Sequence, residues 1–505
     1  MKKLLCATLD ANIAHSVEVE STFVRALPSF SIVGLAQQSI QESRDRIKAA
    51  LGSINFNFPA QKITVNLSPS DLPKSGSHFD LGVALLIALQ KSNANFEDFY
   101  CFGELGLGGS VKSTVSIFPV ILSLASRLKS LKVVVPHESL DIIASIPNVR
   151  AYGVESLEEA IEFFINAESR ADKEAKITHK LFQNSIQIAG KTYILNDEFT
   201  LDFADIKGQA HAKEAMMIAS AGMHNVLLEG SPGCGKSMSI KRLLYIMPPL
   251  EIGEILQNAA NRSLGGESTV FSKLRPFRSP HHTSSRPSIF GGGSNFGAKI
   301  GEVALAHNGI LFFDEFPHFS KDVLESLREP LEDGRVLISR VNSKICYDTK
   351  FIFAAAQNPC PCGNLFSNVK PCKCSDMDIL RYKAKISAPL LDRIDIYVQM
   401  DESGIDDVSD MDSRQMQAKV LKAFTAQKER GQNELNGKMD NGAIERFCVM
   451  SKEAEDMLKN AAVRFGLSHR GVGKLKRVAR TIADLDGAEL IEKSHMLKSL
   501  GFRHR

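Results

Sequence analysis

The stretch GSPGCGKS at residues 230–237 satisfies the spacing G-x-x-x-x-G-K-[ST] of a phosphate-binding loop. In the loop of Gly230, Ser231, Pro232, Gly233, Cys234 and Gly235, the glycines would let the backbone curl with its N–H groups turned toward phosphate oxygens. Lys236 would reach the β- and γ-phosphates of ATP, and the Ser237 hydroxyl would ligate Mg²⁺. The helix that follows would add the positive end of its dipole. A glycine turn between strand and helix is the plainer alternative. Farther along, GILFFDEF (309–316) delivers Asp314 and Glu315 at the carboxyl end of an apolar strand, where open α/β sheets bind ligands. Asp314 would hold Mg²⁺ and Glu315 would orient the attacking water. FIFAAAQN (351–358) ends in Asn358, a polar group for the γ-phosphate or the water, or else a residue shaping the turn into Pro359. Phosphoryl transfer also needs a cation on the developing charge. The candidate is Arg393 in PLLDRIDIYV (389–398), whose alternative is a surface ion pair with Asp392 or Asp395. The chemistry these residues suggest is hydrolysis of ATP.

A second cluster lies just beyond Asn358. Cys360, Cys362, Cys372 and Cys374 are four of the nine cysteines in the chain, crowded into NPCPCGNLFSNVKPCKCS (358–375). Four thiolates can close a tetrahedral Zn²⁺ site that staples a loop too small for its own core. The usual spacing is C-x₂-C, and C-x-C is tighter. Reduced unligated cysteines and a redox switch are the alternatives. Four protein ligands would leave no open position on the metal, so its expected role is structural.

The elements that must position these groups can be read from periodicity. NVLLEG (225–230), GILFFDE (309–315) and FIFAAA (351–356) read as short buried strands, and HAKEAMMIASAG and SMSIKRLLYIM as helices. Strands alternating with helices predict a parallel sheet covered on both faces. In front of this region, residues 1–168 mix strands such as KITVNLSP (62–69) and KVVVPH (132–137) with helices such as FDLGVALLIALQ (79–90), an α/β domain of its own. Residues 169–200 open on the charge-rich ESRADKEAK and read as a linker. Residues 201–400 form the ATPase core. From 401 to 505 the β signal disappears and helical periodicity runs to the end, the pattern of a helical lid. At 505 residues, several domains are expected.

Composition narrows little. Sixty-one Lys and Arg against 58 Asp and Glu leave a net charge of +3, so any basic surface must be local. Asp10 interrupts the N-terminal apolar run MKKLLCATLD, and STVSIFPVILSLAS (113–126) is too short to span a bilayer and contains Pro119. A cytoplasmic protein with reduced cysteines is expected.

The motifs, in this order, resemble those of an AAA+ ATPase. More narrowly, IKGQAHAKEAMMIASAGMHNVLLEGSPGCGKS, RPFRSPHHTSSRPSIFGGGS, GEVALAHNGILFFDE, LREPLEDGRVLISR, NPCPCG, SAPLLDRIDIYV and RVARTIADL are similar to the magnesium-chelatase-like ATPases of the ComM/YifB type. The likeness extends forward to LPSFSIVGLAQQSIQESRDRIKAAL and ITVNLSPSDLPKSGSHFDLGVAL, and so covers nearly the whole chain. It implies a ring-forming, ATP-driven motor on DNA, with branch migration during natural transformation as the activity of ComM proteins. It implies a homo-oligomer, most simply a hexamer, with Arg393 acting across a subunit boundary. Arg477 in KLKRVARTIADL would be the lid arginine that senses nucleotide, with Arg470 competing for the role. It also implies a front domain of the Lon-protease/ribosomal-S5 type. There the sequence departs from the proteolytic pattern: a Ser–Lys dyad is required, yet His78 falls at the nucleophile's place, Ser75 and Ser77 are out of register, and Lys112 comes too early. A non-proteolytic domain is expected.

Two insertions could meet branched or single-stranded DNA in a ring's channel. RPSIFGGGSNFGAK (286–299) carries Arg286 and Lys299, and GRVLISRVNSKICYD (334–348) reads as a hairpin with Asn342 and Ser343 at its turn and Arg340 and Lys344 beside the tip. Such cations would track phosphates without reading sequence; ordinary solvated charge is the alternative. The stretch 464–505, with ten Lys and Arg against four Asp and Glu, is either a second DNA patch or a solvated lid face. Two other functions remain open on sequence: a chelatase motor subunit that remodels a metal-inserting partner, and a non-hydrolysing DNA-binding assembly protein. The Asp314–Glu315 pair argues against the latter.

Overall fold

Alternation of buried and exposed positions along KITVNLS builds the first element of note: Ile63, Val65 and Leu67 point inward from the strand Lys62–Ser68 while their neighbours face out. The computed structural model describes every residue except 1, 11, 36–37, 97, 176–179, 184, 295–296, 340–343, 368, 402–410 and 504–505. The chain divides into two units, one formed by residues 1–183 with 259–271 and 342–345, the other by 184–258, 272–341 and 346–505.

The first unit is built on a seven-stranded sheet in the order Ser29–Val33, Lys62–Ser68, Ile13–Val24, Lys3–Asp10, Phe99–Cys101, Leu131–Pro136, Val149–Val154. Parallel and antiparallel pairs are mixed. The apolar run at 79–90 becomes the helix Asp80–Ala88, buried on nearly every side, which is why its sequence shows no polar stripe.

The second unit centres on five strands in the order Phe277–Arg278, Ile310–Phe313, Ile352–Gln357, Val226–Gly230, Ile396–Met400, all parallel. Val226–Gly230 lies inside the sheet, so the loop after it leaves the carboxyl edge between two neighbours. The register puts Glu229 beside Gln357 and Phe313 beside Ala355, and the three strands therefore release their C-terminal residues side by side. Each of these strands is buried along its whole length, which explains their unbroken apolar runs.

Residues 185–194, within the stretch whose composition suggests a linker, form an antiparallel hairpin, Ser185–Ile188 with Lys191–Ile194, that pairs with Leu250–Glu251. Tyr193 and Ile194 are buried there, and the Tyr193 ring meets Phe424 edge-on at 5.2 Å. The C-terminal region is helical from Ser413 onward. Side-chain caps at Asp412, Asp440, Ser451 and Ser468 start four of its helices. His469–Asp486 buries Leu475, Val478, Ala479, Ile482 and Ala483, the i, i+3, i+4 spacing of a helix with one apolar face. No helix among the described residues is long and apolar enough to cross a membrane.

Candidate functional site

Gly230 closes its strand where an added Cβ would lie 2.7 Å from the Met400 carbonyl oxygen and 2.8 Å from Cys234 Sγ, so only glycine fits. Gly233 and Gly235 then take the left-handed conformation, with φ of 86° and 93°. The helix Lys236–Leu243 starts directly from this turn. The loop is thereby a concave run of backbone ending at a helix N-terminus. Ser231 Oγ is buried within it without a hydrogen-bond partner among the described residues, a polar atom suited to an incoming oxygen.

Lys236 Nζ donates to the carbonyls of Gly230 (2.7 Å) and Ser231 (2.9 Å) and to Asn358 Oδ1 (3.2 Å). Burial lowers its pKa, while the charges of Cys234, Asp314 and Glu229 pull the other way. Ser237 Oγ donates to Asp314 Oδ2 at 2.7 Å. A hydroxyl and a carboxylate held this close are the hard oxygen donors that Mg²⁺ takes. Four sequence-identified residues from three strand ends, Lys236, Ser237, Asp314 and Asn358, thus meet at one edge of the sheet.

Glu315 sits at φ 51°, a left-handed conformation unusual for a non-glycine residue. Its carboxylate is exposed and lies 3.4 Å from His282 Nδ1 and 3.3 Å from His318 Nδ1. The rings of His281 and His282 lie 4.2 Å apart beside it. These histidines are site neighbours that sequence reading missed. The SPHHTSS stretch carried the only signal, two adjacent histidines in a polar loop.

Arg393 lies elsewhere. Its guanidinium donates to the carbonyls of Pro389 (2.6 Å) and Arg328 (3.2 Å) and pairs with Glu332. Arg470 reaches the same Glu332 at 3.2 Å. Together with Lys438, Lys474 and Arg477 they line a cleft of about 580 Å³ whose lining includes none of residues 230–237, Asp314 or Glu315. Arg477 points to the cleft floor, 3.5 Å from Asp395 Oδ1 and 3.3 Å from the Met439 carbonyl.

Asp395 is the hub of that floor. Its side chain is buried and accepts from the Asn225 backbone N–H at 3.0 Å, with His224 Nδ1 3.7 Å away. Burial pushes its carboxyl up, but His224, Arg477 and Lys438 outweigh that and hold it well below the usual carboxylate range. Lys438 in turn is lowered to about 8, chiefly by burial. Asp395→Asn should cost roughly 3–5 kcal/mol, because it strands buried cations, and a urea midpoint would measure it. Because the folded pKa lies below the unfolded one, this stabilisation is complete above the unfolded value of about 3.9 and is lost as pH falls below it.

The four cysteine sulfurs come together. Sγ–Sγ distances are 3.5 Å for Cys360–Cys362, 3.7 Å for Cys360–Cys372 and 3.6 Å for Cys362–Cys372, and all four lie within 4.8 Å of one another. Tetrahedral Zn–S bonds of 2.3 Å would put sulfurs about 3.8 Å apart, so the donor set fits that ion. All four are free thiols.

Of the cations considered for DNA, Arg286 opens the short helix Arg286–Phe290 and bonds Ser326 Oγ at 2.8 Å, with Asp322 at 3.7 Å. Lys299 ends the hairpin Gly292–Ser294 with Gly297–Lys299, and Lys344 begins the strand Lys344–Asp348; both are exposed. Arg340, Asn342 and Ser343 lie outside the described residues. In the 464–505 stretch, Arg480 is buried and bonds Asp484 and the carbonyls of Ala488 and Glu489, and Lys474 and Arg477 face the cleft. These three charges are internal to the lid or the cleft, whereas Arg464, Lys493 and Lys498 of the same stretch are exposed.

In the first unit, His78 is buried. Its Nε2 faces the Ala7 carbonyl at 3.0 Å, which only accepts, so Nδ1 is the acceptor for Ser116 Oγ at 3.1 Å. Ser77 donates to Glu104, and the Lys74 ammonium to the Pro69 carbonyl.

Comparison with known proteins agrees with this geometry. The family described as magnesium chelatase, subunit ChlI, matches residues 202–408; the subunit ChlI family of Mg-chelatase matches 19–139, and its C-terminal family 410–503. Competence protein ComM of Haemophilus influenzae is 34% identical over 500 residues, covering 97% of this chain and 95% of that protein. The uncharacterized protein YifB of Escherichia coli is 34% identical over 508 residues, covering 98% and 96%. An uncharacterized protein of Mycobacterium tuberculosis is 34% identical over 501 residues, covering 96% and 95%. With a phosphate-loop strand inside a parallel sheet, a helical C-terminal region and similarity along nearly its full length, the chain belongs to the magnesium-chelatase-like AAA+ family of the ComM/YifB type.

Proposed function

We propose that this protein is an ATP-hydrolysing ring motor that moves branched or single-stranded DNA, with branch migration in recombination or natural transformation as its task. The observation that carries the ATPase reading is the meeting of Lys236, Ser237, Asp314 and Asn358 at one sheet edge. The loop amides and Lys236 bind the triphosphate, exchanging the Gly230 and Ser231 carbonyls for phosphate oxygens. Ser237 and Asp314 would hold Mg²⁺, which neutralises phosphate charge. Glu315 orients the attacking water, and its two histidine neighbours fix the direction of its carboxylate. Glu315→Gln should lower ATP turnover by ~10²–10⁴-fold while nucleotide binding persists, measured as phosphate release beside a binding titration.

The separation of the arginine cleft from the phosphate loop supports a finger that serves a neighbouring subunit, in a hexamer by the simplest arrangement. Arg477 as the lid sensor and Arg470 as its competitor both lie in that cleft, Arg477 on Asp395 and Arg470 on the Glu332 that also pairs with Arg393. DNA as substrate rests on the relative ComM, which is named a competence protein. Arg286, Lys299, Arg340 and Lys344 would track its phosphates. The front domain is non-proteolytic, because His78 stands buried at the nucleophile's place and Ser77 pairs with Glu104 rather than with a lysine; the Lys2–Ser92 contact at 3.2 Å lies outside that stretch. Domain limits of 1–168, 201–400 and 401–505, a cytoplasmic location, and a structural Zn²⁺ on the four cysteines complete the reading.

The family models describe a magnesium chelatase subunit, which favours one second reading: a motor that remodels a metal-inserting partner. ATPase rate with and without forked DNA separates the two. Stimulation and junction migration support the DNA motor; a rate indifferent to DNA, with no migration, supports the chelatase-like role.

A further inference from the structure

The cysteine knuckle is built directly onto the phosphate loop. Gly363, between the two cysteine pairs, takes φ 80°, and a Cβ added there would lie 2.7 Å from Pro232 Cδ and 2.8 Å from Pro232 Cγ. The knuckle's turn therefore touches the loop that would cradle the nucleotide. Cys360 is fully buried and stands two residues after Asn358, the acceptor for Lys236. At that spacing a displacement of Cys360 is transmitted to Asn358 through two peptide units.

The far side of the knuckle returns to the same place. Ser375, next to Cys374, caps the helix Asp376–Lys383 through a reciprocal bond with Asp378. That helix carries the buried Tyr382. Its last residue, Lys383, lies 3.6 Å from Glu229, the residue before Gly230. Both ends of the cysteine segment thus converge on the two strand ends that flank Lys236.

The sulfurs themselves are arranged for a metal. Sγ–Sγ distances are 3.5–3.7 Å among Cys360, Cys362 and Cys372, and all four sulfurs lie within 4.8 Å of one another, so the pocket matches one thiophilic divalent ion.

We propose that a zinc ion in this knuckle is a positioning element of the nucleotide site: by clamping residues 360–374 it holds Pro232 and Asn358 in their phosphate-binding arrangement, so nucleotide affinity depends on metal loading. The inference rests on residues 230–237 being the ATP site. The metal touches no substrate and supplies no chemistry to the reaction.

The full-length chain provides the test, with zinc content, thermal midpoint and the Kd for fluorescently labelled ADP measured on each variant. Wild type should carry one zinc per chain. Cys372→Ser with Cys374→Ser should lose the zinc and bind ADP about tenfold more weakly, the scale of outer-shell effects at metal sites. Gly363→Ala supplies the arm that does not depend on folding without metal: it should stay folded and keep zinc, with only the loss of thermal midpoint that a side chain at φ 80° brings, while ADP binding weakens because the new methyl displaces Pro232. Lys236→Ala should keep zinc and lose ADP binding. Unchanged ADP affinity in Gly363→Ala or in folded zinc-free protein would overturn the coupling, and wild-type protein that takes up no zinc would overturn the metal. ADP binding unaffected by Lys236→Ala would instead overturn the ATP-site reading on which the coupling stands.

Discussion

Arg393→Ala should lower ATP turnover by ~10³–10⁵-fold, the range for removing an arginine finger, while leaving nucleotide binding intact. The expectation follows from where the guanidinium lies. It is held by the carbonyls of Pro389 and Arg328 and by Glu332, whose side chain is half exposed, and not by anything at its own chain's phosphate loop. The half-exposed carboxylate is the partner that an incoming phosphate would exchange with, while the guanidinium itself is buried on the two carbonyls. Mixing Arg393→Ala protein with Lys236→Ala protein should restore part of the turnover, because a subunit with an intact loop then meets a neighbour with an intact finger. Were Arg393 merely structural, the thermal midpoint would fall and mixing would rescue nothing.

Lys236→Ala should abolish nucleotide binding and turnover while the fold persists. The lysine's acceptors are two loop carbonyls, Asn358 Oδ1 and, at 3.9 Å, Cys234 Sγ, all at the site, so its loss removes no core packing. In the bound state the same ammonium would face phosphate oxygens with charge-assisted bonds, stronger than those it makes to neutral carbonyls. Equilibrium dialysis with ATP and circular dichroism together decide the matter. A variant that still turns ATP over would remove the phosphate loop from the mechanism.

These expectations differ in how far local sequence supports them. The loop at 230–237 is legible because its chemistry is local: glycine at 233 and 235 is required by backbone angles within the loop itself. The strands 226–230, 310–313 and 352–357 are legible because burial on both faces leaves unbroken apolar runs. Asp314 and Asn358 follow from those strands, since each stands just past a carboxyl end. The hairpin at 185–194 is not legible in the same way. Its partner strand is Leu250–Glu251, far along the chain, and a four-residue strand beside charged neighbours carries no strong period.

Charge is the other place where sequence and structure part. The excess of Lys and Arg in 464–505 suggests a basic surface, yet Arg480 is buried on Asp484 and Arg477 turns to Asp395. Counting charges cannot distinguish a solvated cation from one whose partner arrives from another helix or strand.

The sequence by itself determined the family, the parallel-sheet core, the glycine-rich turn at 230–237 and the acids at the strand end, because each is written in contiguous residues with a backbone or burial requirement of their own. Tertiary structure alone decided that His282 and His318 flank Glu315, that Arg393 and Arg470 share Glu332, and that Gly363 rests on Pro232. Those pairings join residues distant along the chain, and their distances are set by strand order and loop packing, which leave no periodic trace in the residues being joined.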